Sequence, residues 1–415
     1  MNICFFSSVT YWHGLRGGMD IFGKLLLEGL ASRGHRITVI SSRHPSGITC
    51  EKKGNIQIYY LPNTEFGSVR KGWRKECQKK FNALNDTIRF DIICSQQPIF
   101  PPLSKEVRSK TPIITFIQGH EGWMMLSELN RFWNFKHHPT ILIKSITSFL
   151  YYYLMWELPN FRLSDLIITP ADEVTSSLHK WFFLKPNRIK TIYNGVDTNH
   201  FKPDPTAKQR LLEKFPQLSG QKIILFMSHV TPQKGLHLLL KVLPSLATRE
   251  NNVSLLVVGG GDFLEETKEM AFHLGINNRV TFTGMVDIES LPDLINSADI
   301  FVLPTLRREG LPLSILEAMA CKIPVITTDI GGNASIVKSG FTGLLVPPGD
   351  MTRLEKSISL LLNDSDLSHQ FADNGYHFVQ QKFSAQKMID DCQSLMIDQV
   401  EMKLCTCGVN KNGPK

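Results

Sequence analysis

The run Leu303–Cys321 (Leu-Pro-Thr-Leu-Arg-Arg-Glu-Gly-Leu-Pro-Leu-Ser-Ile-Leu-Glu-Ala-Met-Ala-Cys) carries two carboxylates, Glu309 and Glu317, eight positions apart. The pattern predicts a strand ending near Pro304 and a loop holding Glu309 and Gly310. Pro312 suits the first turn of the helix that follows, where its missing N–H costs nothing. Glu317 then lies about one and a half turns in. Such an edge offers free N–H groups and a positive dipole end to phosphates. Glu317 can accept hydrogen bonds from a ribose and Glu309 from sugar hydroxyls, while Gly310 lets the backbone come close. On spacing alone, a solvated loop and an ordinary helix-face glutamate fit equally well.

Other segments hold groups that suit phosphates or sugars. In Met227–Gly235 (Met-Ser-His-Val-Thr-Pro-Gln-Lys-Gly), Lys234 falls just before a helix, where an ammonium can meet a diphosphate. His229 lies earlier in the same loop. Gln118-Gly-His-Glu follows a strand and presents His120, although a lone histidine there is more often structural. Gly17 and Gly18 follow the first strand and, taken alone, read as a plain turn.

Alternating strands and helices must position these groups. The N-terminal half reads as strand (Asn2–Ser8), glycine loop, helix and strand (Arg36–Ser41), a βαβ unit. Further strands are expected at Phe90–Cys94, Pro112–Ile117 and Asp165–Thr169. The second half offers Lys222–Met227, Val253–Val258, Val280–Thr283, Asp299–Leu303, Pro324–Thr327 and Gly343–Val346, with helical periodicity between them. That alternation implies parallel sheets covered by helices on both faces. Asn194-Gly195, Pro203 and Pro205 mark a linker within Tyr193–Pro205. The expected fold class is α/β, with two doubly wound, Rossmann-like domains facing across a cleft and ligands bound beyond the carboxyl ends of the strands. The expected domains are 1–195, 196–380, a helix over 381–404 packing back on the first domain, and a disordered tail over 405–415.

The ordered motifs resemble the retaining glycosyltransferase family 4 (group 1 glycosyl transferases), whose fold is called GT-B. The Glu309–Glu317 segment looks like its E-x7-E motif. Ile192–Thr198 with Phe201, Val258–Asp262, Val280–Gly284, Ala298–Pro304, Glu317–Ala320, Pro324–Thr327, Gly331-Gly332 and Gly343–Asp350 match in order, over nearly the whole chain. The resemblance implies donor contacts by Gly17, Gly18, His229, Lys234, Glu309, Gly310, Leu311, Leu313 and Glu317. It implies catalytic roles for His120, Lys234 and Glu309, with His120 facing the transferred sugar. The donor would be a nucleotide sugar, UDP- or GDP-linked, used without a metal or other cofactor. Where the family has Gly-Arg, this chain has Ser228-His229. Histidine is smaller than arginine and only partly charged near neutrality. That departure keeps an inactive GT-B scaffold open as an alternative, beside a GT-B epimerase or phosphorylase.

Charge is uneven along the chain. The net charge of +8 comes entirely from the first half, with 25 Lys/Arg against 14 Asp/Glu over residues 1–195. Arg70–Lys75, Lys79–Phe81, Arg131–Lys136 and Tyr151–Trp156 mix cations or aromatics in that half, as suits an anionic membrane surface. The expected acceptor is a saccharide or lipid-linked saccharide, and nothing points to nucleic acid. No signal peptide is legible. Pro139–Leu158 is the most apolar stretch, but it contains Lys144 and Glu157, so a spanning helix is not expected. The eight cysteines are scattered and read as free thiols in a reducing cytoplasm. Cys405 and Cys407 have no companion cluster, so no metal site is assigned. The expected location is the cytoplasm, peripherally on the cytoplasmic face of the membrane.

Overall fold

The computed structural model describes residues 1–14, 17–70, 72–119, 139–250 and 252–406, with backbone only at 139–142 and 145. Two compact units emerge. One is Met1–Tyr193 together with the chain from Ala385; the other is Asn194–Ser384.

The first unit is built on a sheet of order β3-β4-β2-β1-β5-β6-β7-β8. Its strands are β1 (Asn2–Ser7), β2 (Arg36–Ser41), β3 (Cys50–Lys53), β4 (Ile56–Tyr60), β5 (Ile92–Ser95), β6 (Ile113–Phe116), β7 (Leu166–Thr169) and β8 (Ile189–Thr191). All pair in parallel except β3 with β4. β1 is buried on both faces, which explains its unbroken apolar run. Ile3 and Phe5 join one core with Phe22, Leu26 and Leu30 of the helix Gly18–Ser32. Cys4 and Phe6 join the other with Trp73, Cys77 and Phe81 of the helix Trp73–Ile88. The i, i+4, i+8 spacing of those last three residues puts them on one stripe.

Trp73 and Phe81 therefore correct the reading of Arg70–Lys75 and Lys79–Phe81 as surface mixtures of cation and aromatic. Both rings are core side chains, whereas Arg70, Arg74, Lys75 and Lys79 are exposed. The last helix, Ala385–Thr406, gives Met388, Ile389, Cys392 and Met396 to the first core. It takes in Cys405 and Thr406, two residues that were expected in the disordered tail.

The second unit has the sheet order β11-β10-β9-β12-β13-β14, all parallel. The strands are β9 (Lys222–Met227), β10 (Val253–Val258), β11 (Val280–Gly284), β12 (Ile300–Leu303), β13 (Val325–Thr328) and β14 (Leu344–Val346). The Val196 N–H donates to the Phe383 carbonyl at 2.8 Å, joining the start of this unit to its end. Chain order runs outward in both directions from the neighbours β9 and β12. The crevice at their carboxyl ends is a topological switch point, where doubly wound sheets receive ligands.

Candidate active site

Both segments singled out in the second half begin at that switch point. After β9, the chain runs through Ser228–Thr231 and a tight turn, Pro232–Lys234, into the helix Leu236–Arg249. After β12, it runs through Pro304–Pro312 into the helix Leu313–Ala320. Pro312 is the residue capping that helix (φ −67°, ψ 115°) rather than a member of its first turn, a correction of one position.

The two loops are tied together. The Leu306 N–H donates to the Gln233 carbonyl at 2.7 Å. The Lys234 ammonium meets the Glu309 carboxylate at 2.8 Å, with both side chains largely buried. Thr305, fully buried, brings its hydroxyl within 3.3 Å of the same carboxylate oxygen. Gly235 adopts φ +80°, and a Cβ there would overlap the Pro304 carbonyl oxygen. Only glycine allows that close approach of the two loops. From β13, the Gly332 N–H donates to the Glu309 carbonyl at 2.8 Å. Gly331, at φ +63°, leaves just enough room, since a Cβ would stand 2.5 Å from the Glu309 backbone. Glu309 is thus fixed through its side chain by one loop and through its backbone by another.

Glu317 is different. It is 5% exposed and has no hydrogen-bond or ion-pair partner among the described residues. Burial alone pushes its carboxyl up to about 7. A buried acid without a partner is costly when charged. Ligand hydroxyls could supply the missing donors.

The remaining assignments divide as follows. His229 is exposed at the mouth of the β9 loop, whose position is set by Val230 N–H donation to Gly260 O at 2.8 Å. Gly310 is half-buried, whereas Leu311 and Leu313 are buried. In the first unit, Gly17 caps the helix that Gly18 begins, and both are exposed. The Asp20 carboxylate accepts from the Gly17 N–H at 3.1 Å. His120 lies outside the described residues, as do Arg131–Lys136 and Cys407. The structure therefore brings Lys234 and Glu309 into contact and sets His229, Gly310, Leu311, Leu313 and Glu317 on the same two loops and helix. Thr305 was missed, because a threonine after a strand-ending proline carries no signal of its own. Among the described residues, no group of three or more His, Cys, Asp or Glu is placed to hold a metal. The described cysteines are all free thiols.

Comparison with known proteins agrees with this geometry. Residues 16–200 match the model "Glycosyltransferase Family 4", and residues 208–378 match "Glycosyl transferases group 1". Together they take in both units, and the chain belongs to glycosyltransferase family 4. A GDP-mannose-dependent alpha-(1-6)-phosphatidylinositol monomannoside mannosyltransferase from Mycolicibacterium smegmatis is 35% identical over 219 residues, which is 51% of this chain and 57% of the relative. The chain spans about half the length of such curated relatives. Among solved structures, sucrose-phosphate synthase from Thermosynechococcus elongatus superposes with a TM-score of 0.75 at 19% identity, covering 97% of this chain and 99% of that one. Anabaena HepE in complex with UDP-glucose gives 0.72 at 18% identity, covering 96% and 100%. The fold is GT-B: α/β, with two Rossmann-like domains.

Proposed function

We propose that this protein transfers a hexose from a nucleotide sugar to a hydroxyl of a saccharide or lipid-linked saccharide, with retention at the anomeric carbon. One observation carries the reading. At the switch point of the second unit, a lysine is held against a glutamate (Lys234–Glu309, 2.8 Å), beside a helix bearing a buried carboxylate, Glu317, that has no partner among the described residues. A donor satisfies all three groups. Its diphosphate takes the remaining N–H donors of Lys234. Its ribose hydroxyls donate to Glu317, and the sugar hydroxyls donate to Glu309.

In this reading, Lys234 stabilises the charge that gathers on the leaving diphosphate, and His229 assists at the loop mouth. The Lys234 ion pair engages the Glu309 carboxylate, which suits Glu309 to orienting the sugar rather than attacking it. Retention then follows from acceptor attack on the face the diphosphate leaves, where a phosphate oxygen takes the acceptor proton. The resemblance to family 4 assigns Gly17 and Gly18 to the donor phosphates and His120 to the sugar. The donor is UDP- or GDP-linked: the mycobacterial relative is GDP-mannose-dependent, and the cyanobacterial neighbour is a UDP-glucose complex. The basic excess of residues 1–195 and the phosphatidylinositol named for the relative favour a lipid-linked acceptor at an anionic, cytoplasmic membrane face.

The test is incubation of the purified protein with UDP-, GDP- and ADP-sugars and a membrane extract. Nucleotide release that requires the extract is expected, with an α-linked product from an α-linked donor by NMR. Donor binding without release would favour a scaffold, the alternative that His229 keeps open. An inverted product would remove the retaining mechanism.

A further inference from the structure

The first unit carries an apolar helix face with nothing packed on it among the described residues. The helix Pro139–Tyr152 continues into Tyr153–Glu157 as a widened turn, in which the Leu158 N–H reaches back five residues to the Tyr153 carbonyl. One side packs inward. Trp156 is buried, Phe149 sits 5.7 Å from the Trp181 ring, and Tyr153 stacks on Phe182 at 5.0 Å. The other side presents Ile143, Ile146, Leu150, Tyr151, Leu154 and Met155, each between 37% and 62% exposed. These positions recur three and four apart, so they form one continuous stripe. Single exposed apolar side chains are ordinary, but a contiguous stripe is not.

Cations edge the stripe. Lys144 is exposed on the same helix. Arg70 donates to the Tyr152 hydroxyl at 2.9 Å, with its guanidinium 5.1 Å from that ring. Arg74 lies 4.3 Å over the Trp156 ring and donates to the Met155 carbonyl. Arg70, Arg74 and Lys144 have no carboxylate partner among the described residues. The one acid of the segment, Glu157, is buried.

We infer that this stripe lies flat on a bilayer containing anionic phospholipid, with its aliphatic side chains below the headgroups and Arg70, Arg74 and Lys144 on the phosphates. The inference rests on the membrane reading above and gives it a surface. Apolar tips, aromatic rings and cations that lack a carboxylate partner among the described residues match, in successive layers, an interface from acyl chain to phosphate. Among the described residues, no helix is long and apolar enough to cross a membrane, so the segment lies on the bilayer rather than spanning it. A second copy of this chain is a poor occupant, because two-fold docking of the stripe on itself would set each cation cluster against its image.

The test is co-sedimentation of the full chain with phosphatidylcholine vesicles with and without 30% phosphatidylglycerol. Nucleotide affinity and circular dichroism serve as folding controls, and light scattering gives the size in solution. Wild type is expected to bind only the anionic vesicles, and to release in high salt. Leu150→Glu with Leu154→Glu should weaken binding at least about tenfold. Arg70→Gln with Lys144→Gln should weaken it roughly twenty-fivefold, about fivefold per cation. If the glutamate pair fails its folding control, Leu150→Ser with Leu154→Ser replaces it. Wild-type binding that both pairs leave unchanged would overturn this surface while the membrane reading stands. Absence of wild-type binding would overturn both. A wild-type dimer that Leu150→Glu with Leu154→Glu turns into a monomer, without vesicle binding, would assign the stripe to a second copy instead.

Discussion

Lys234 and Glu309, 75 positions apart in the chain, meet at 2.8 Å where the loops after β9 and β12 converge. The pair sets the charge of the site before any donor arrives. Glu309 uses one of the three N–H donors of Lys234 and fixes its direction; two remain for a diphosphate. Removing either partner therefore does different things.

Lys234→Ala should weaken nucleotide diphosphate itself by roughly tenfold to a hundredfold, the worth of a charge-assisted hydrogen bond. Glu309→Gln should leave nucleotide affinity unchanged or raised, since the lysine is released, while transfer falls about a hundredfold. Calorimetry with UDP and GDP, beside turnover of the sugar nucleotide, separates the two. Equal losses of nucleotide affinity in both variants would mean that Glu309 acts only through the lysine.

Glu317 predicts a pH dependence of stability. Its acid is raised from an ordinary 4.5 to about 7 in the fold. Between those values the native state holds a proton that the unfolded chain has lost, so stability falls as pH rises through this window. Below it there is no penalty; above it the penalty is complete, about 3 kcal/mol at most. Glu317→Gln should remove this slope and raise the melting temperature above pH 7. Ribose hydroxyls favour the charged carboxylate, so nucleotide binding near pH 6.5 should release protons. Calorimetry in buffers of different ionisation enthalpy would detect them, and Glu317→Gln should abolish the release. Binding without proton release would detach Glu317 from the ribose.

Gly235→Ala should cost about 2–4 kcal/mol, combining the left-handed conformation with the collision at Pro304 O. Urea unfolding measures it. The same change pushes apart the loops that carry Lys234 and Glu309, so transfer should fall further than stability accounts for.

His229→Arg should raise donor affinity, by about tenfold if the guanidinium grips the diphosphate with two donors. The exposed side chain has room for the larger group. A complete loss of turnover would give the histidine a function of its own.

The parallel frame was legible because strands buried on two faces write themselves as unbroken apolar runs. Lys222–Met227 and Val253–Val258 came out with the expected bounds. β3 and β8 were not legible. β3 is an edge strand reading Cys-Glu-Lys-Lys, polar because it faces solvent, and β8 has only three residues. In β4, Ile56, Ile58 and Tyr60 alternate inward, a signal that was present but unread. At the site, spacing gave Glu309 and Glu317, but not that one would be paired and the other alone. Pairing depends on which loops meet, and β9 and β12 are neighbours only through the sheet's crossover order. The aromatic runs misled for a related reason. Composition cannot tell Trp73, fully buried, from Tyr151, exposed, when both stand among cations.

The helix Ala385–Thr406 completes the core of the unit that begins at Met1. Ile389 fits so closely against Gly29 that no larger residue could stand there. On the ribosome, the first strands emerge hundreds of residues before the helix that covers them. The second unit has its whole sequence available earlier and can close while the first still waits. Apolar surface around Phe22, Leu26 and Leu30 stays uncovered throughout that interval. A chain that stops just before Ala385 would therefore keep its middle whole and leave its beginning incomplete.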